Sequence, residues 1–366
     1  MKKAATLILI FLAFSFALSA EKPQIKWISF PDPQFQVFGL PFWAENAPDL
    51  YRLPKSAKSV VRKPVWSLAK STSGGRIIFN SNCTTMAIRL QYPSLGGMKN
   101  MHTFGQSGVD LYVDDVYVRT AIPKDTTFVE FTFFSGATKQ MRRYTIYLPL
   151  YNGVKVLAIG VNEGADIQPA TPFVVDKPVV YYGSSITQGG CASHSGMSYQ
   201  AILSRHLNVD FVNLGFSGNG MGEPEVAKLV ASIDASCYVL DFGVNLPSAD
   251  SVAKVYGPFI DIIRKTRPKT PIIAVTPIYM VYEYWGPNKV TFMRDIIRKE
   301  VARRRRAGDQ NIMLVEGFEL LGPELSSAFV DGVHPNDLGM QAMAEGLQPY
   351  VAQVLHVSGR KYKLKR

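Results

Sequence analysis

Cysteine and histidine are scarce in this chain, and long apolar runs are confined to its first residues. Three cysteines among 366 residues, Cys83, Cys191 and Cys237, are too few for a disulfide framework. Cys237 lies in the apolar run Ser236-Cys-Tyr-Val-Leu240 and reads as a small buried hydrophobe. The five histidines form no His/Cys cluster at zinc spacing, so no metal or other cofactor is expected. Past residue 20 no segment is apolar enough to span a bilayer. Charged residues are 19% of the chain against 47% hydrophobic, an ordinary globular balance able to bury a large core. At about 150 residues per domain, the length points to two domains.

The first residues are a case apart. Lys2 and Lys3 make a basic start, Ala4 to Leu18 is apolar, and Leu18-Ser-Ala20 ends on a small residue. This is the pattern of a secretory signal peptide cut near Ala20, which implies a secreted or periplasmic protein. A membrane anchor fits less well, because the run is short and polar sequence follows at once. The formal charge is +11, and much of the excess sits in Arg303 to Arg306 and in the tail from Arg360 to Arg366. Such clusters read as solvated faces, so no nucleic-acid partner is expected. The oligomeric state stays open.

From residue 21 to 170 short alternating runs are separated by turn residues. Arg76–Phe79, Met86–Leu90, Val109–Val113, Phe128–Phe133, Arg143–Leu148 and Val154–Ile159 read as strands. Gly74-Gly75, Gly96-Gly97, Asp114-Asp115 and Asn152-Gly153 read as turns. An all-β sandwich of jelly-roll type is expected, followed by a stiff proline-bearing linker at 171–178.

Over 179–358 the rhythm becomes strand, helix, strand. Strands are expected at Val179–Tyr182, Asp210–Leu214, Ser236–Phe242, Pro271–Thr276 and Asn311–Val315. Helices are expected at Ser198–Leu207, Glu223–Ser232, Ala249–Arg267, Asn288–Ala307 and Asn336–Leu355. In the third helix Val252, Val255, Phe259, Ile262 and Ile263 recur at helical spacing, which makes a core face. The fold class is therefore α/β, a three-layer α/β/α domain around a mostly parallel five-stranded sheet, with its site at the carboxyl edge. The first strand ends in Gly183-Ser-Ser-Ile-Thr187, where glycine permits a sharp turn and a serine hydroxyl can be exposed. By themselves Ser184 and Ser185 read equally well as turn or cap residues.

Further turns at that edge carry polar residues. They are Asn213-Leu-Gly215-Phe-Ser-Gly218-Asn219, Asp241-Phe-Gly243-Val-Asn245 and, before the last helix, Asp331-Gly-Val-His334-Pro335. With Gly183-Ser-Ser-Ile-Thr187 they resemble, in order, the four blocks of the SGNH (GDSL-type) hydrolases. The resemblance implies Ser185 as nucleophile, with the backbone N–H of Ser185, the N–H of Gly218 and the amide of Asn245 as oxyanion donors. Histidine is the side chain best suited to take a serine proton at neutral pH, which points to His334. Asp331, three residues earlier, is spaced to meet its Nδ1. Two positions depart from the family: Ser184 stands where block one has aspartate, and Leu246 where block three has aspartate. Gly108-Val-Asp110-Leu-Tyr112 resembles the G-x-D-L-Y signature of the β domain that precedes some bacterial members, with Asp110 read as a strand surface residue.

The resemblances together imply a secreted two-domain serine esterase acting on small acyl esters, above all O-acetyl groups of a carbohydrate. A lipid or thioester hydrolase is the runner-up, and a non-catalytic carbohydrate-binding protein ranks below it. Tyr279, Tyr282, Tyr284 and Trp285, on the segment after the fourth strand, are candidates to stack on sugar rings, although a packed lid or domain interface explains them as well. Met197, on the loop after the nucleophile, is a further candidate. Cys191 with His194 as base is a lesser nucleophile pair, since no carboxylate lies nearby in sequence to orient that histidine.

Overall fold

The computed structural model describes residues 24–124 and 128–359. The leader expected over residues 1–20 and the basic tail from residue 360 lie outside the described residues. Among the described residues no helix is long and apolar enough to cross a membrane.

Two antiparallel sheets build the first half. One orders Ile25–Ser29, Lys155–Asn162, Thr85–Gln91 and Phe128–Ser135. The other runs Ile167–Pro169, Arg76–Ser81, Arg142–Tyr147, Val109–Val113 and Val116–Ala121, with Gln36–Phe38 also paired to Arg76–Ser81. Their inner faces meet on a core that includes Phe79, Ile88, Leu111, Phe133, Ile146 and Ile159. Val116–Ala121 is a strand that the alternation alone did not mark. It returns through a hairpin whose turn residues Asp114 and Asp115 both take positive φ, 50° and 68°, as a tight turn between twisted strands requires. The first half is also not all strand: a 3-10 turn at Lys55–Ser59 and a helix at Lys63–Ala69, with proline in its first turn, interrupt it.

The second half is the expected three-layer domain. Five parallel strands run in the order Phe211–Gly215, Val179–Gly183, Cys237–Asp241, Ile272–Val275 and Ile312–Val315. The first four are buried for most or all of their length, which is why these segments are apolar runs that do not alternate, while the edge strand Ile312–Val315 is half-buried at its two middle residues. Ser198, Ser248 and Asn336 stand at the N-caps of the helices Tyr199–Leu207, Ala249–Thr266 and Asp337–Leu355.

Neither core of this half is self-sufficient. On one face Leu53, Ala57, Val61, Val65 and Ala69 of the first half pack with Val180, Leu214, Leu240 and Phe259. On the other, Met101, Tyr112, Tyr147 and Leu150 of the first half join Val179, Tyr181, Ile202 and Met340. The β domain is thus packed onto both faces of the α/β domain and along its edge strand Phe211–Gly215.

Candidate active site

Ser184 and Ser185 divide the two readings between them. Ser184 is the N-cap of the one-turn helix Ser185–Gln188, and its Oγ accepts from the Ile186 N–H at 3.2 Å. Ser185 is the first residue of that turn, and its Oγ lies 2.9 Å from His334 Nε2. Gly183 cannot be otherwise: a Cβ there would fall 2.0 Å from Thr187 Oγ1 and 2.3 Å from the Asp241 carbonyl. The turn therefore needs a residue without a side chain, for space as well as for bending.

His334 is held in a turn with its own carboxylate. Asp331 Oδ2 lies 2.8 Å from His334 Nδ1, and Asp331 Oδ1 accepts from the backbone N–H of His334 at 2.9 Å and of Val333 at 3.1 Å. With Nδ1 donating to the carboxylate, Nε2 is the free base that accepts from Ser185. Partial burial works against the Asp331 anion. Hydrogen bonds from the His334 backbone, from Asn100 and from the His334 ring outweigh it and hold the carboxyl well below the usual carboxylate range. The turn is anchored from the nucleophile loop as well, since the Cys191 N–H donates to the Pro335 carbonyl at 2.9 Å.

The second glycine-bearing turn comes up against the serine turn, and the third meets the second through Asn245. A Cβ on Gly220 would lie 2.2 Å from the Gly183 carbonyl, so that backbone rests directly on the serine turn. Gly218 takes a left-handed φ of 66° with open space around it. The Gly220 N–H donates to Asn245 Oδ1 at 3.1 Å, which orients the amide and leaves its Nδ2 as a donor. Among the described residues the N–H groups of Ser185 and Gly218 make no hydrogen bond to protein. The turn after the second strand thus rests on the serine turn, with Asn245 bonded to its Gly220. Leu246, the second departure from the family pattern, is buried in the core.

Beneath the serine lies a buried polar network without a sequence signal. Asp241 Oδ2 accepts from Thr187 Oγ1 at 3.0 Å and from the Tyr199 hydroxyl at 3.1 Å, and burial pushes its carboxyl up to about 7. Tyr151 of the first half donates its hydroxyl to the Ser185 carbonyl at 3.1 Å. Asn100, from the loop before Thr103–Ser107, donates to Asp331 Oδ2 at 2.8 Å. None belongs to a recognisable spacing, because their partners come from distant parts of the chain.

Of the sugar-stacking candidates, Tyr279 is corrected. It is only 5% exposed, with its ring edge against Phe318 and Phe329, so no face is open to a ligand. Tyr282 is 39% and Trp285 79% exposed, and Trp285 stands edge-on to the equally exposed Tyr284. Their loop touches the histidine turn, where the Val281 N–H donates to the Gly332 carbonyl at 2.8 Å. Met197 is half-buried against the core that contains Tyr112 and Cys191.

The thiol pair is not assembled. His194 Nδ1 bonds Asp110 Oδ2 at 2.6 Å, while burial, helped by the charge of Asp331, pushes the Cys191 thiol up to about 12. Asp110 is accordingly not a surface residue. It is fully buried, it also accepts from Thr120 Oγ1 and the Gly196 N–H, and it ties the two halves together. The carboxylate that orients His194 comes from the other domain, beyond the reach of local sequence. Among the described residues no group of acidic, histidine and cysteine side chains could hold a metal ion.

Comparison with known proteins points one way. Residues 176–352 match the GDSL-like lipase/acylhydrolase family, and residues 25–167 match the GxDLY family, described as the N-terminus of SGNH-hydrolase-type esterases. A GDSL-like lipase of Bacteroides ovatus is 28% identical with a TM-score of 0.83, covering 92% of this chain and 100% of its own. A salicylyl-acyltransferase of a tetracycline biosynthetic pathway is 22% identical with a TM-score of 0.77, covering 90% and 97%. An acetyl xylan esterase of Butyrivibrio proteoclasticus shares the fold at 14% identity, with a TM-score of 0.62 over 91% and 99%.

Proposed function

Since the chain belongs to the GDSL-like lipase/acylhydrolase family and is a hydrolase of ester bonds, we propose that it works through an acyl-enzyme on Ser185 and removes small acyl groups, O-acetyl above all, from carbohydrate. The observation that carries this reading is the continuous hydrogen-bond chain from Ser185 Oγ through His334 to Asp331.

Ser185 Oγ attacks the acyl carbonyl while His334 Nε2 takes its proton. Asp331 keeps the ring in the right tautomer and stabilises the imidazolium. The tetrahedral oxyanion takes hydrogen bonds from the N–H groups of Ser185 and Gly218 and from Asn245 Nδ2; each such donor is worth about 2.7–4 kcal/mol of barrier. His334 then protonates the sugar oxygen as it leaves. Water, deprotonated by the same nitrogen, attacks the acyl-Ser185 carbonyl; the bond to Ser185 Oγ breaks as His334 returns that proton to it, and acetate departs with the enzyme restored.

Two features support a carbohydrate substrate. Tyr284 and Trp285 offer open ring faces on a loop that touches the histidine turn, suited to the apolar faces of sugar rings. The fold-level likeness to an acetyl xylan esterase is consistent with this. The basic, apolar and small-residue pattern of residues 1–20 supports export to where such polymers occur.

The test is hydrolysis of p-nitrophenyl acetate, longer-chain p-nitrophenyl esters, acetylated xylan and acetylated pectin by the wild type and Ser185→Ala. The wild type is expected to release acetate from at least one polymer, and Ser185→Ala to lose activity by about 10⁴-fold or more. Preference for long acyl chains would favour a lipid substrate instead. Turnover unaffected by the substitution would remove the mechanism.

A further inference from the structure

We propose that Asn100, contributed by the N-terminal β domain, is a positioning residue of the catalytic centre that holds the Asp331 carboxylate in line with His334. The inference rests on the roles given above to Ser185, His334 and Asp331.

The Asp331 carboxylate has four donors. Three belong to its own turn, the N–H groups of Val333 and His334 on Oδ1 and the imidazole Nδ1 on Oδ2. The fourth, Asn100 Nδ2, comes from 231 residues away in sequence and binds the same oxygen as the imidazole, at 2.8 Å. The side chain of Asp331 is 34% exposed, so without Asn100 that position on Oδ2 would pass to water. A hydrogen bond to a charged group is also stronger than a neutral one. The donor is neutral, which matters. An arginine or lysine there would cancel the charge that must stabilise the imidazolium, whereas an amide orients the anion and leaves its charge in place.

The arm that carries Asn100 is braced from behind. Gln106 accepts from the Met98 N–H at 2.8 Å and donates to the Met98 and Met101 carbonyls, gripping the loop on both sides of Asn100. Asn152 grips it further back by accepting from the Gly96 N–H at 2.9 Å. The helix that follows, Thr103–Ser107, presses onto the loop after the nucleophile so closely that a Cβ on Gly105 would meet the Ala192 carbonyl at 2.3 Å. Asn100 is therefore placed by a chain of packed contacts from the β domain. That domain is part of the catalytic apparatus and not a tethered accessory.

The test uses the full chain and three variants, Asn100→Ala, Asn100→Asp and Ser185→Ala, with kcat and KM on p-nitrophenyl acetate from pH 5 to 9 and melting temperatures throughout. Asn100→Ala is expected to lower kcat about tenfold, the worth of one charge-assisted hydrogen bond, with KM unchanged. Asn100→Asp has the same shape but sets a second carboxylate against Asp331. It is expected to lose more than Asn100→Ala at pH 8, and its deficit relative to wild type narrows toward pH 5, where the pair shares a proton and the new side chain donates again. Wild-type kcat in both Asn100 variants would overturn the proposal. So would equal losses in the two variants with no difference in pH profile, since that is what a merely structural role predicts. An inactive Ser185→Ala beside unaffected Asn100 variants would sink this inference alone, whereas a fully active Ser185→Ala would sink the serine mechanism beneath it.

Discussion

Asp241 ends its strand opposite Gly183 in register, and among the described residues its Oδ2 accepts from the hydroxyls of Thr187 and Tyr199 alone. Burial raises this carboxyl to about 7, so the folded protein holds it protonated under conditions where the unfolded chain ionises it. The stability it lends is complete below about pH 4, the unfolded value, and is lost as pH rises through about 7. Asp241→Asn keeps the shape and removes the titration. The variant is therefore expected to gain on the wild type between pH 5 and pH 8 by at least about 1 kcal/mol, one pKa unit's worth, in urea midpoints converted with a common m-value. Parallel pH curves for the two proteins would refute this. The residue scale also shows where motif reading stops. Ser185, His334 and Asp331 stand out because their partners share a turn or a family block. Asp241, Asn100 and Tyr151 do not, because each meets its partner only after folding.

At the scale of elements, the loop with the exposed aromatics is clamped and not loose. Arg294, on the helix Lys289–Arg306, donates from Nε to the Pro277 carbonyl and from Nη2 to the Ile278 carbonyl. It also pairs with both oxygens of Glu283, at 2.6 and 2.8 Å, and the side chains are 4% and 7% exposed. Burial alone would raise the Glu283 carboxyl, yet the bonds and charge of Arg294 hold it below the usual range. Arg294→Ala strands that carboxylate and is expected to cost about 3–5 kcal/mol. It should lower kcat/KM on an acetylated polymer more than on p-nitrophenyl acetate, which is too small to need the loop. Equal effects on both substrates would separate the loop from polymer recognition. Elements were legible in proportion to their regularity. The five parallel strands and five long helices carry strong periods and caps. Lys55–Ser59 and Lys63–Ala69 are short and their buried residues join the core of the partner domain, while Val116–Ala121 is mostly exposed and so carries no alternating buried face.

Over the whole molecule, the two halves share cores and buried polar contacts. Arg52 is fully buried and donates to the carbonyls of Leu68, Ser71, Asn213 and Gly215, with its guanidinium 4.8 Å from the Phe216 ring centroid. Burial pushes the guanidinium down to about 9. Arg76 pairs with Asp210 across the same seam, and Asp110 meets His194 on the other side. Such a seam predicts one cooperative unfolding transition for both halves in calorimetry, with Arg52→Ala lowering its midpoint by leaving four buried carbonyls short of a donor. Two separated transitions in the wild type would contradict the shared core.

The sequence by itself determined the parallel sheet, because fully buried strands must be apolar runs, and it determined the order of turns along one edge. It also singled out a serine, a histidine and an aspartate, since the last two are three residues apart and their geometry is local. The match to the family's first block had already chosen Ser185 over Ser184; only the tertiary structure decided that Tyr279 is core and that Asp110 binds a histidine of the other domain. It alone joined Asn100 to Asp331. Those outcomes depend on the packing of one domain against the other, and no period or spacing within a segment encodes the neighbour that a side chain will meet.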